Sequence, residues 1–513
     1  MDNLRFTPQE AKIEAMYDAV KAERPVLTSV LSEQGGKGLG EYASTFSEGD
    51  STPTIHPLEE AVEAVVDETR RLYGTEMAIK AAGQLAETPV VNSPYHMGGD
   101  FFPITAQSSV LAQFGKKPEG VLVALAGGAL PANNLTYPLG IQLARERHQD
   151  TGTGEMKSVP VKINILPVRK YGDAPVAALP PMTSEMIQQT DGKLTGLFGQ
   201  GVISKQEMTV IREILNDVYM RYDVLGQDSF SDQASLINSD LWKRLFTPDV
   251  AEHMPEMSFL QIEKVATDLL KQDLENPDSL IFNTLFNPEL RDATYRSLDG
   301  VPGCWNSQNA RQGTEFFWGK RTNLEVESLH LEERSGGLVL AGKDSVLPFE
   351  PEAIAQALNN EDIYPNLFVT FTELALARGL VCYGGFMQTD YLTRMKDGLS
   401  QALDEAGNSK WAQMVRAQRT ENYSAGMIPI VSRNNADRAV RPAGAIEIIA
   451  GGAINQKRLD QIRDTTVKEA SLIGLPGIYA TVFSGRKDET FAEVTPQFIY
   501  DNARPNLVEL QLQ

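Results

Sequence analysis

Apolar positions along the chain follow two periods, one near 3.6 and one near 2. Thr7 followed by Pro8 opens the first helical pattern, "PQEAKIEAMYDAVKAE", with a capping hydroxyl and a proline at the first helical position. Residues 57–73, "PLEEAVEAVVDETRRLY", predict a second helix, with proline early, acids in the first turn and arginines in the last. Between them, residues 32–54 are rich in Gly, Ser and Thr and read as a loop. The "GGKGLG" within it resembles a phosphate cradle. It lacks the Lys-Ser/Thr pair of a Walker loop, and no apolar strand leads into it. A plain loop and an anion contact are both compatible with it.

Short apolar runs then alternate with helical ones. "TPVV" ends at a polar loop and "FFPITAQSSVLAQF" resumes as a helix; "GVLVALAGG" is a buried strand ending at "ALPANNLTYP"; "VPVKINILPV" reads as a third strand. Strand, glycine-containing crossing, helix and strand in succession predict an α/β domain on a parallel sheet, whose ligands gather beyond the carboxyl ends of the strands. From 183 to 300 the pattern turns helical, with a capping box at Ser204 and Glu207 and helices near 234–246 and 258–273. "TEFFWGK", "LEVESLHLEE" and "GGLVLAGKD" alternate as antiparallel strands do. Helices follow near 350–358, 367–378 and 388–405, with strands at "GLVCYGG" and "MIPIVS" and a helical tail over 455–475. The expected fold is α/β: a Rossmann-like parallel-sheet core with a helical insertion and a small antiparallel β element. Its divisions are 1–182 (N-terminal helices and first α/β segment), 183–300 (helical insertion), 301–350 (antiparallel element) and 351–513 (second α/β segment and tail).

Composition narrows the function classes. Forty-seven basic residues against 68 acidic ones leave a net charge of −21, which repels phosphate backbones and argues against nucleic acid as a partner. A small anion in a local basic pocket stays compatible with it. Two cysteines, Cys304 and Cys382, do not make a disulfide framework. Cys382 lies in an apolar strand and reads as core; Cys304 has no neighbouring base to activate it. No apolar run reaches the roughly 18 residues of a membrane helix, and the N-terminal stretch lacks a basic flank followed by an apolar core. The expectation is a reduced, cytoplasmic protein without a membrane partner.

Four crossings carry candidate chemistry. In "NSPYHMGGDFFP", Asn92, Ser93, Gly98, Gly99 and Asp100 surround His96 where a strand hands over to a helix. Glycines there admit a ligand to the backbone, amides at a helix start favour an anion, and an imidazole serves as a general base. The same residues also make an ordinary turn. "GGALPANNLTYP" offers Asn133, Asn134 and Tyr137 after the next strand, or else a simple Asn-rich turn. "YGGFMQTDY" sets Gly384, Gly385, Gln388 and Tyr391 at a third crossing. "IPIVSRNNADR" places Arg433 after a strand, where a guanidinium clamps a carboxylate or phosphate or simply faces water. There is no Gly-x-Ser-x-Gly elbow, no His-Glu-x-x-His and no paired Cys-x-x-Cys, so no metal site is expected. No clean Gly-x-Gly-x-x-Gly follows a strand, so a redox dinucleotide cofactor is not expected either; the cofactor is otherwise unassigned, a nucleotide being compatible.

The order of these segments resembles the bacillithiol-biosynthesis cysteine-adding enzymes, a family of cysteine ligases with a Rossmann-like core. The likeness rests on "NSPYHMGGDFFP", on "EFFWGKRTNLEVESLHLEERSGGLVLAG", on "YPNLFVTFTELALARGLVCYGGFMQTDYLTRMKDGL" and on "MIPIVSR". "GGALPANN" holds amides where that family carries acids. By position, the resemblance implies a cleft formed by Gly98, Gly99, Gly384, Gly385, Gln388 and Arg433. The expected activity is the joining or transfer of a small polar metabolite, most simply C–N bond formation between an amine and a carboxylate. His96 would take the amine proton, Asn133 and Asn134 would orient the nucleophile, Arg433 would hold the carboxylate, and the Gly-Gly loops would receive any phosphate. A sugar or nucleotide-sugar transferase and a non-catalytic binding or assembly protein are the alternatives. The expected partners are a small-molecule substrate and, at most, a second copy of the chain in a homodimer.

Overall fold

The computed structural model describes residues 7–47, 52–150, 156–309, 313–421, 424–434, 438–484 and 490–512. Residues 48–51 of the early Gly/Ser/Thr stretch and 435–437 beyond Arg433 lie outside them. The chain is mixed α/β, built around a four-stranded, all-parallel sheet. Its strands are β1 (Val90–His96), β2 (Val121–Gly127), β3 (Glu256–Gln261) and β4 (Val381–Tyr383), in the spatial order β4-β1-β2-β3.

Alternation along these strands divides the interior in two. In β2, Leu122, Ala124 and Ala126 enter one core while Val121, Val123 and Leu125 enter the other. β4 does the same, with Val381 and Tyr383 on one side and Cys382 on the other. Both faces are therefore dry, which is why a parallel strand reads as a continuous apolar run. Helices α1 (Leu58–Tyr73), α2 (Thr75–Glu87) and α4 (Ile262–Leu274) share one core, through Val65, Leu85 and Leu269. Helix α3 (Pro103–Ala112) and helix Phe230–Arg244 contribute to the other, through Val110 and Ile237.

Several sequence expectations are corrected here. "VPVKINILPV" does form a strand, Met156–Asn164, but it pairs antiparallel with Gly140–Asp150 in a separate hairpin. The partner of β2 in the central sheet is instead β3, within the span read as a helical insertion. The predicted helix over 258–273 starts at Ile262, because Ser258, Phe259 and Leu260 are buried as sheet residues. The Gly-rich stretch after residue 32 is partly helical, over Leu39–Ser44, and the Leu39 amide donates to Thr465 O at 2.8 Å. "MIPIVSR" belongs to another sheet, where Ile430–Asn434 pairs parallel with Val508–Leu512 and antiparallel with Val440–Pro442. The antiparallel strands of the 301–350 region and the capping box at Ser204 and Glu207 occur as expected. Among the described residues, no helix is long and apolar enough to cross a membrane.

Candidate functional site

β1 is irregular where it matters. Asn92 faces Ala124 and Tyr95 faces Ala126, so three residue steps on β1 span two on β2. Pro94 lies in that interval and has no N–H for the ladder, so the strand bulges at Ser93–Pro94. Beyond the bulge, His96 stands opposite Gly127, at the carboxyl ends of β1 and β2. The loop after β2 folds back over it. Gly98 has φ 144°, and a Cβ there would lie 2.9 Å from Pro138, so only glycine lets the two loops pack backbone against side chain.

This packing brings His96 and Asn134 together, with His96 Nδ1 3.0 Å from Asn134 Oδ1. The carboxamide orientation is fixed independently. Its Oδ1 accepts from the Thr136 amide at 2.9 Å, and its Nδ2 donates to Pro131 O at 2.9 Å. The imidazole therefore meets an oxygen at Nδ1, and the proton sits there. Nε2 carries the lone pair, and no described residue bonds it. Burial lowers the pKa of His96, with the Asn134 contact opposing the shift, so the ring is neutral at neutral pH. Asn133 is exposed at the loop tip; its amide donates to Gly172 O at 2.8 Å. Tyr137 adopts φ 56°, is 2% exposed, and donates its hydroxyl to Asn164 Oδ1.

The third crossing meets β1 from the other side. Gln388 lies in helix α5 (Phe386–Glu405), and its Nε2 donates to Ser93 Oγ at 2.7 Å. The Ser93 hydroxyl donates to Tyr383 O at 3.2 Å, so the pair ties β1 to β4. Gly384 leaves room for this amide, since a Cβ there would meet Gln388 Oε1. Gly385 caps α5. The structure thus joins three of the four predicted crossings through β1.

Other predicted residues are placed differently. Asn92 is fully buried; it accepts from Ser108 Oγ at 3.1 Å and donates to Tyr95 Oη, pinning β1 to α3 rather than facing a ligand. Tyr391 packs against Phe371, their ring centroids 6.2 Å apart. Gly99 backs onto the Tyr219 hydroxyl. Asp100 turns inward: its amide donates to Asn238 Oδ1 at 2.8 Å and its carboxyl accepts from Thr105. Burial pushes its pKa up to about 7. Arg433 lies within its strand, not after it. It donates to Glu509 at 3.0 Å and to Arg438 O at 2.8 Å, and it stands 5.6 Å from the Tyr500 ring centroid. The carboxylate it holds is the chain's own.

The residue that sequence reasoning missed is Glu263, in the first turn of α4. Its carboxylate accepts from the Gly128 amide at 2.8 and 2.9 Å and from the Ala129 amide at 2.9 Å. These are the amides a phosphate would use after β2, and an internal anion occupies them. Burial raises the Glu263 pKa and the two amides pull it down. An acid immediately after the buried "SFLQI" was the available signal. Among the described residues, no three His, Cys, Asp or Glu side chains gather as metal ligands would. No protein-family model matches the chain, and neither a curated protein nor a solved structure does.

Proposed function

We propose that the chain is an enzyme that joins or transfers a small polar metabolite on a Rossmann-like core, with His96 Nε2 as the general base. The proton it takes belongs to an amine or hydroxyl nucleophile. The acceptor is a carboxyl carbon activated by ATP, which expels phosphate or nucleotide as the new bond forms, or the anomeric carbon of a sugar nucleotide, which expels the nucleotide. The reading rests on one observation: Asn134, itself locked by Thr136 and Pro131, holds Nδ1 so that Nε2 carries the lone pair, and no described residue bonds it. The resemblance to the cysteine-adding enzymes favours C–N bond formation. Arg433 and the amides of Gly128 and Ala129 take no part, because Glu509 and Glu263 engage them.

The test pairs turnover with spectroscopy. Amines, carboxylates and sugar nucleotides are supplied with ATP, and release of phosphate, pyrophosphate or nucleotide is followed for the unaltered chain and for His96→Ala. Loss of turnover with an unchanged unfolding midpoint is expected. Equal turnover in the variant, or a ¹⁵N spectrum showing His96 protonated at Nε2 at pH 7, removes His96 from the mechanism.

A further inference from the structure

A cavity of about 660 Å³ lies at the opposite edge of the sheet, beneath the amino ends of β2 and β3. The volume suits a metabolite-sized ligand, for which pockets of roughly 300–1,000 Å³ are usual. Two of its walls are donors without acceptors. Lys116 has no acid partner among the described residues, and its ammonium makes only a 3.4 Å hydrogen bond to Val90 O. Gln113 is 6% exposed, lines the same cavity, and its Nε2 has no hydrogen-bond partner. A half-buried ammonium without a counter-ion and a buried amide without an acceptor are each costly to leave unsatisfied.

The mouth holds a second cation in place. Arg463 stands 5.4 Å from the Phe114 ring centroid, and its stem crosses Gly40, where a Cβ would overlap it at 2.4 Å. Gly40, the last glycine of "GGKGLG", therefore makes room for this arginine's stem. His253 lines the same mouth. Arg463 pairs with Asp460 at 3.3 Å, both half exposed, and the other acids there, Glu41 and Asp464, are exposed too, where water screens them.

We propose that this cavity binds a small metabolite through an oxyanion, a phosphate or carboxylate group, held by Lys116 and Gln113 on its inner wall and by Arg463 at its mouth. Burial without a counter-ion, which lowers the Lys116 pKa to about 8, agrees with an ammonium built to meet an anion. The site is independent of His96, which sits at the other end of the strands.

Isothermal titration of the full chain at pH 7 with inorganic phosphate, and separately with citrate, tests the proposal. Saturable binding of at least one anion is expected, weakened tenfold or more by Lys116→Met and by Gln113→Leu and unchanged by His96→Ala. The anion that binds distinguishes a phosphate-bearing ligand from a carboxylate-bearing one. Lys116→Met removes an unpaired buried charge, so its melting temperature should match or exceed that of the unaltered chain; if it does not fold, Gln113→Leu carries the test alone. The proposal is overturned by no saturable binding of either anion, or by full affinity in the folded variants.

Discussion

Asp100 offers a stability test whose size follows from its surroundings. Its carboxyl is enclosed by the loop after β1, accepts one hydrogen bond from Thr105, and has its pKa moved from an ordinary 3.8 to about 7 by burial. A raised acid binds a proton in the folded chain that it has lost in the unfolded chain. Its stabilising contribution is complete below pH 3.8 and is lost as the pH rises through 7. Each pH unit in that window costs about 1.4 kcal/mol, so the interval from pH 5 to pH 8 removes roughly 3 kcal/mol. Asp100→Asn keeps the acceptor for Thr105 and cannot ionise. Urea unfolding of both chains at pH 5 and pH 8 should show the variant losing roughly 3 kcal/mol less than the parent over that interval. Glu447, also raised to about 7 by burial, tilts both curves alike, and the difference between the chains cancels it to first order. Parallel curves would refute the reasoning and mean that the Asp100 carboxyl is hydrated in the folded state.

Two further outcomes concern buried ions. Glu263→Ala leaves the Gly128 and Ala129 amides without acceptors and should cost roughly 2–6 kcal/mol in urea unfolding, with Glu263→Gln intermediate; a loss below about 1 kcal/mol would show that water replaces the carboxylate. Arg378, fully buried, donates to Glu60 at 2.9 Å, Asp273 at 3.0 Å and Glu373 at 2.6 Å, so Arg378→Met should destabilise by about 3–5 kcal/mol by leaving Asp273 and Glu373 uncompensated, and an unchanged urea midpoint would contradict it.

What could be read from the residues divides by range. β2 was legible because six successive apolar positions need burial on both faces, which a parallel sheet supplies. β3 was not, because "MSFLQ" runs without a break into the apolar stripe of α4, and the change of period spans too few residues to register. Short apolar runs identified "VPVKINILPV" and "MIPIVS" as strands, but such a run says nothing about which sheet a strand joins. The neighbour of Arg433 in register is Gln511, seventy-eight positions later, and only that pairing shows the arginine facing Glu509. His96 and Asn134 were legible as members of one rim, because β1 ends at His96 and Asn134 follows the adjacent β2, but their direct contact was not. Glu263 was hidden because its function is to satisfy amides across a turn, a long-range fact.

The two edges of the sheet differ in how far the chain satisfies itself. At the carboxyl edge, Glu263 fills the amides after β2, Gln388 fills the gap between β1 and β4, and Asn238 binds both Gly98 O and the Asp100 amide. A phosphate entering there would have to displace a carboxylate that is itself buried, and would leave that charge without partners. The displacement forfeits as much as the new contacts gain. An anionic group of the substrate at this edge must therefore be held by something other than the Gly128 and Ala129 amides, while a neutral imidazole with an unbonded Nε2 needs no such seat. At the amino edge the imbalance has the opposite sign. Lys116 has no acid partner among the described residues and Gln113 Nε2 has no acceptor, so an oxyanion entering there gains contacts while loosening only the long Lys116–Val90 bond and the exposed Arg463–Asp460 pair. On the proposed readings, proton transfer and anion recognition lie at opposite ends of the strands, so His96→Ala and Lys116→Met should affect different measurements.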